Sequence, residues 1–419
     1  MKRGSRVFES KACVWLLAAA WSSAGCSSDV AGETTVQIRQ ALLGDTLPGL
    51  TGPEQDLFDE GLDAFVDVET VEDGVGPVFN ERACGNCHNV GAIGGAGVQF
   101  EVRAGKVVDG VFDSLENEGG QLFDLFSVTS LPLAETMSIP DCTLPPDGEP
   151  VPADATVVAL RRTTALFGLG LVDATPDATF QAIAAAQPAA IRGRAPLVPN
   201  ISEGEPTVGK FGWKAQVPTL FQFSGDAYLN EMGITNPEFP NEQVPLGMAA
   251  FLATCDGVPV EPGDVEDDGD DVVAFANFMR LLAPPPAPNL TGQAHSGSNV
   301  FTQIGCDGCH VRSITSGPSP IAALSNQTYQ PFSDFLVHDM GSLGDGIPGN
   351  GDVGTTEMRT APLWGLHFVD PDDLLHDGRA SSVEDAILQH DGQGAAARDA
   401  FIALPPGLRQ NLLVFLDRL

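Results

Sequence analysis

Cys84-Gly-Asn-Cys87-His88 and Cys306-Asp-Gly-Cys309-His310 are two copies of one pentapeptide, and their reading decides how the rest of the chain is understood. In each copy two thiols suit thioether bonds to the vinyl groups of a haem, and the histidine that follows is placed to bind the iron from the same side. A lone Cys-x-x-Cys would equally fit a redox disulfide or half of a zinc site. The immediate histidine, present twice, argues against both, because a closed zinc shell has no task for a second matched copy. Phe79 and Phe301 each stand five residues before the first motif cysteine, with Gly76 and Gly297 shortly upstream. We read this shared register as an internal repeat of two cytochrome-like modules. Two covalent haems (haem c) limit the function to electron transfer or to redox catalysis fed by it.

Composition fits an exported protein. Lys2, Arg3, Arg6 and Lys11 precede the apolar run 12–21, and residues 1–25 read as a signal peptide. That run is too short to stay in a bilayer as a helix. Ser23-Ala24-Gly25-Cys26 resembles a bacterial lipoprotein signal, in which Cys26 becomes the lipidated first residue, and Ser27 after it points to the outer membrane. The expected localisation is the periplasm, or the outer membrane of a Gram-negative bacterium through that lipid. Of eight cysteines, Cys13 leaves with the signal, Cys26 is the lipidation candidate and four serve haem. Cys142 and Cys255 remain, and an oxidising compartment pairs them as a disulfide. A net charge of −35 excludes nucleic acid and anionic membrane surfaces as partners and would suit a small basic electron-donor protein.

The expected fold is mainly α: two cytochrome c-like haem domains with long loops and few short strands. Residues 26–52 read as a tether, 53–283 as the N-terminal haem domain, 284–288 as a stiff proline linker and 289–419 as the C-terminal cytochrome c domain. Leu57, Phe58, Gly61, Leu62 and Phe65 share one helix face, and helices are also expected over 177–186, 272–282 and 407–419.

Histidine placement separates the two sites. Between tether and linker the only histidine is His88. The first haem can gain a second histidine only from the C-terminal part; otherwise its far side takes Met137, Met232, Met248, Met279 or Tyr228, or stays open to a small molecule. An open iron is where peroxide or dioxygen chemistry occurs, whereas a doubly held one passes electrons. The C-terminal part holds His295, His310, His338, His367, His376 and His390, with Met340 and Met358. Ser382 opens a helix as N-cap, and Val383, Ala386, Ile387 and His390 follow at i, i+3, i+4 and i+7. That places His390 on the buried stripe as the second ligand of the second haem, with Met340 as its competitor.

Longer stretches resemble the di-haem cytochrome c peroxidase superfamily, specifically its di-haem oxidoreductase branch, sometimes labelled thiol oxidoreductases. They are 161–173, Gly209-Lys210-Phe211-Gly212-Trp213-Lys214-Ala215, 278–284, 333–341, Arg359-Thr360-Ala361-Pro362-Leu363-Trp364-Gly365-Leu366 and Leu375-His376-Asp377-Gly378-Arg379-Ala380. The resemblance implies two cytochrome c folds facing one another, with a peroxidatic N-terminal haem and an electron-transfer C-terminal haem. It places the second haem's sixth ligand shortly after residues 376–378, which falls on His390. It makes Trp213 the tryptophan between the haems, and Glu231, with Asp226 as second choice, the acid that moves protons. It implies calcium between the domains, for which 264–271 or the 344–354 loop (Asp345, Asn350, Asp352) are the acidic candidates, although neither has calcium-loop spacing. The superfamily's peroxidases carry a resting histidine ligand after the first motif, and this chain has none there.

The expected function is reduction of a small oxidant at the N-terminal haem with electrons relayed through the C-terminal one. The alternatives are a dioxygen- or radical-using enzyme, like the di-haem rubber oxygenases or the methylamine dehydrogenase maturation enzyme, and a non-catalytic electron-carrier lipoprotein. Nothing in these residues supports a thiol substrate.

Overall fold

Two helix pairs organise the chain, and each crosses at a glycine. The structure, a computed structural model, describes residues 42–419 apart from 121, 262 and 370–372. The expected signal segment and Cys26 lie outside the described residues.

In the first pair the Gly52–Val66 helix packs on the Asp270–Leu281 helix. Phe58, Gly61 and Phe65 lie on one face at helical spacing and are buried. A Cβ on Gly61 would stand 2.4 Å from the Ala274 carbonyl oxygen, so only glycine lets the backbones approach this closely. Phe58 and Phe65 then pack on Phe278, with ring centroids 5.2 and 4.6 Å apart. The second pair repeats the device. Gly292–Gln303 crosses Pro406–Leu416, and a Cβ on Gly297 would stand 1.9 Å from the Asn411 carbonyl oxygen. Phe301 packs on Phe415 and Phe332 at 5.4 and 6.2 Å. In both pairs the phenylalanine one turn beyond the crossing glycine reaches the motif histidine: Phe65 to His88 at 6.1 Å, Phe301 to His310 at 6.4 Å.

This corrects the repeat read from spacing. Phe79 belongs to the short strand Val78–Phe79, paired with Phe126–Ser127, whereas Phe301 is helical. The structural counterpart of Phe301 is Phe65. The register was misleading because residues 67–83 intervene between helix and motif in the first half, while in the second only 304 and 305 do.

Helix makes up 35% of the residues and strand 14%, so helices outweigh strands. One strand is longer than expected. Phe100–Val108 runs nine residues and pairs antiparallel with Val157–Arg162, from Phe100 opposite Arg162 to Gly105 opposite Val157. Because side chains alternate, Glu101 and Arg103 share one face, and Arg161 sits opposite Glu101.

The larger core joins residues of both halves, from Leu47 and Phe58 through Phe278 to Phe335 and Trp364. A second core, Val300 to Leu419, belongs to the C-terminal half. The described residues fall within one compact unit. The expected tether ends earlier than residue 52, since Leu47 is buried and its N–H donates to the Leu281 carbonyl. The 284–288 segment is packed against the rest of the chain, with Pro284 against Gly168 and a buried Pro285 against Gly365. Cys142 and Cys255 are joined by a disulfide, with Cα atoms 4.7 Å apart.

Candidate functional site

His88 follows the short Cys84–Cys87 helix, and the glycine-rich segment after it folds back over the motif. A Cβ on Gly97 would stand 2.0 Å from the Cys87 carbonyl oxygen. The same return brings the Gly95 carbonyl 3.1 Å from His88 Nδ1. A carbonyl only accepts, so Nδ1 carries the hydrogen and Nε2 keeps its lone pair for a metal. Burial lowers the His88 pKa to about 4, which keeps the ring neutral, the form an iron ligand needs.

The second motif has the same logic and one addition. His310 Nδ1 donates to the Phe332 carbonyl at 2.9 Å. His390 Nδ1 donates to the Ala386 carbonyl at 2.8 Å. Both Nε2 atoms are therefore the ones left for a metal. The two rings have centroids 6.4 Å apart. An iron held between two imidazoles separates the centroids by roughly 6–6.5 Å, given bonds of about 2 Å on each side and the half-width of each ring. Burial lowers both pKa values, that of His310 to about 4. They line a cavity of about 410 Å³ together with Cys306, Met340, Trp213 and Arg359.

The four motif thiols, Cys84, Cys87, Cys306 and Cys309, are partly buried. None is joined to its neighbour. Burial pushes the Cys87 and Cys306 thiols up to about 12 and Cys84 higher still.

His390 reaches this position by a route that helix periodicity did not give. Ser382 Oγ caps the Val383–Leu388 helix through the Asp385 N–H at 3.0 Å, but the helix stops at Leu388, and His390 lies in the loop beyond it. Its N–H bonds to the Ile387 carbonyl. Gly394 lets it stand beside the end of Met340, since a Cβ there would lie 3.1 Å from His390 and 3.2 Å from Met340. Met340 is thus a wall of the cavity next to His390, and the ring opposite His310 is His390. Among the described residues, no other histidine makes a ring contact with His310. His338 is held by Asp334 at 2.9 Å, His376 packs under Trp213 at 6.2 Å, and His367 stacks on Phe368.

No such partner faces His88 among the described residues. Met232, Met279 and Tyr228 are packed in the larger core, and Met137 and Met248 are 73% and 50% exposed. The Tyr228 hydroxyl donates to Glu69 at 3.1 Å.

Glu231 stands beside the first motif, at the end of the Leu220–Met232 helix. Its carbonyl accepts the N–H groups of Asn80 and Glu81, and its Oε2 accepts Asn80 Nδ2 at 3.0 Å. Burial, with the charge of Glu101 added, pushes Glu231 up to about 7. Asp226, one turn earlier, is pushed up to about 6 by burial. Burial acts to raise Glu101 too, but Arg103, bonded to it at 2.8 Å, and Arg161 hold it below the usual range. Three carboxyl groups near one another thus keep different protonation. Asn80 was missed in the sequence, where nothing marks it as the residue that orients an acid 151 positions away.

Trp213 lies between the two motif regions. Its Nε1 donates to the Arg162 carbonyl at 2.8 Å, and Arg162 Nε donates to the Gly97 carbonyl in the loop behind His88. Its ring lines the cavity of His310 and His390.

Two acidic segments had been candidates for calcium. In the 344–354 loop, Asp345 is already held by Arg161 at 2.7 Å and Lys214 at 2.8 Å, and Lys214 Nζ also donates to the Gly354 and Thr355 carbonyls. An ammonium fills the place a metal would need there. The 264–271 run supplies helix-capping contacts, with Asp267 Oδ1 accepting the Asp271 N–H at the start of Asp270–Leu281. Cys309, Asp334 and His338 do converge as possible metal donors, but Cys309 is a motif thiol, so that cluster is part of the second site.

A protein-family model described as "Di-haem oxidoreductase, putative peroxidase" matches residues 151–419. Among solved structures, a di-haem peroxidase from Burkholderia thailandensis is similar at 14% identity, over 87% of this chain and 86% of its own, with a TM-score of 0.36. Hydrazine synthase from Kuenenia stuttgartiensis is similar at 16% identity, over 62% and 73%, with a TM-score of 0.33. A search of curated proteins finds no match.

Proposed function

The chain belongs to the di-haem oxidoreductase family, and on that premise we propose that it is an exported c-type peroxidase that reduces a small oxidant at its N-terminal site. The observation that carries this reading is the unequal surroundings of the motif histidines: His310 faces a second imidazole at iron-spanning distance, and His88 does not. Bound haem would supply one-electron chemistry at both sites. Reducing hydrogen peroxide to two molecules of water consumes two electrons and two protons.

The residues divide that work. Cys84, Cys87 and His88 would hold the first haem, and no second imidazole faces His88 among the described residues. Cys306, Cys309, His310 and His390 would hold the second, with two facing imidazoles to bind it, within a C-terminal cytochrome c-like domain. Glu231, protonated near neutral pH and aimed by Asn80, delivers protons to the bound oxidant, and Asp226 resupplies it. Trp213, joined through Arg162 to the loop behind His88, carries electrons between the sites. The electrons come singly from a small donor protein with a complementary basic face, and Cys26 anchors the mature chain to the outer membrane through lipid.

The test is ligand binding and turnover on the haem-loaded protein. Cyanide should bind one haem per chain, and hydrogen peroxide should be consumed with a reduced donor. Two haems per chain that bind no cyanide and ignore peroxide would make the protein an electron carrier instead.

A further inference from the structure

Arg359 is a buried cation without a carboxylate. It ends the Glu357–Arg359 strand, which pairs with Val337–Asp339, and only 7% of its surface is exposed. Its Nε donates to the Gly212 carbonyl at 2.6 Å and its Nη1 to the Thr360 carbonyl at 3.2 Å. Its guanidinium also lies over the Phe335 ring at 5.6 Å. Carbonyls and a ring face orient a charge without neutralising it. The one acid that contributes to its electrostatics, Asp334, is already committed to His338 at 2.9 Å and to Gln187 Nε2 at 2.7 Å. Among the described residues Arg359 makes no ion pair, whereas Arg161 has Asp345, Arg103 has Glu101 and Arg398 has Asp391 and Asp399. In a chain with 56 acidic residues against 21 basic ones, a buried arginine with no acid of its own calls for a carboxylate from outside the chain.

The side chain lines the cavity that also holds Cys306, His310 and His390. Its Nη2 has no hydrogen-bond acceptor among the described residues. A guanidinium offers a planar fork of donors matched to a carboxylate. The haem that Cys306 and Cys309 would hold brings two such groups, its propionates. We propose that Arg359 is the propionate-binding residue of the second haem, the external counter-ion that this buried charge lacks within the protein. The strand then has a cofactor role: the Arg359 N–H donates to the Trp213 carbonyl, so one residue ties the haem edge to the segment that carries the indole between the two sites.

This rests on the haem reading above, and the experiment separates the two. Wild type, Arg359→Lys and Arg359→Met are prepared loaded with haem. Midpoint potentials are followed through the low-spin resonance of the second site, and resonance Raman records the propionate bending mode. The expected result is a lower potential for the second haem in Arg359→Met, because a positive charge favouring the reduced state is gone, with the low-spin signal intact. Arg359→Lys should retain most of the potential but shift the propionate mode, and it serves alone if the methionine variant fails to fold. Loaded variants with unchanged potential and an unchanged propionate mode would overturn the assignment and leave the haem reading standing. A wild-type potential that varies with added acetate would also overturn it, since the cation would then hold solution carboxylate. A chain that takes up no haem would sink both.

Discussion

Asn80 and Glu231 are joined twice, by the Asn80 N–H to the Glu231 carbonyl at 2.8 Å and by Asn80 Nδ2 to Glu231 Oε2 at 3.0 Å. A carboxyl group held at both its backbone and its side chain by a residue four positions before Cys84 has a fixed direction. Burial keeps it protonated up to about pH 7.

Glu231→Gln removes the proton donor and should lower peroxide turnover about 10²–10⁴-fold. Wild-type activity should fall as pH rises through about 7, and the variant's residual activity should lose that dependence. Stability follows the same sign. A carboxyl raised from 4.5 to about 7 contributes stability that is present below pH 4.5 and lost as pH passes 7. Thermal melts of the variant should therefore gain on wild type above pH 7 and not below 4.5. Equal pH profiles for turnover in the two proteins would remove Glu231 from the mechanism.

His390→Ala leaves the iron at His310 with one imidazole. Its low-spin resonance should convert to high-spin, while Met340→Ala should leave it in place. The reverse pattern would make Met340 the ligand.

Gly297→Ala puts a methyl group 1.9 Å from the Asn411 carbonyl oxygen at the crossing of the second helix pair. Overpacking of this kind costs about 1–3 kcal/mol. The denaturant midpoint should fall accordingly, and an unchanged midpoint would mean that the helices do not cross there.

Cys142→Ser opens a disulfide that spans 113 residues and clips the 142 loop to the Ala249–Cys255 helix. Loss of about 2–5 kcal/mol is expected, with wild type matching the variant under reducing conditions. Thiol labelling of two unpaired cysteines in oxidised wild type would contradict the pairing.

Local signals carried much of this structure in the sequence, and three-dimensional ones did not. The helix over Asp177–Ala186 and those near Leu62, Phe278 and Leu412 follow from apolar spacing, which depends on neighbours only a turn away. His390 was visible as a candidate, but its place beyond the helix end was not, because the stop is set by tertiary contacts of the Asp391–Gly394 loop with 339–342. The repeat was sought next to the motif, where Phe79 and Phe301 share a register, while the glycine that matters, Gly61, lies 23 residues before Cys84. The acidic loop looked like a metal site because charge counts in sequence do not show that Lys214 and Arg161 fold onto Asp345. Asn80 and Arg359 gain their meaning only from what lies opposite them.

Electron paramagnetic resonance of the fully loaded, oxidised wild-type protein, with haem quantified per chain, tests the account most directly. The account predicts two haems, one low-spin from His310 and His390 and one high-spin at His88 that shifts on adding cyanide. Two low-spin signals of equal intensity, neither altered by cyanide, would contradict it.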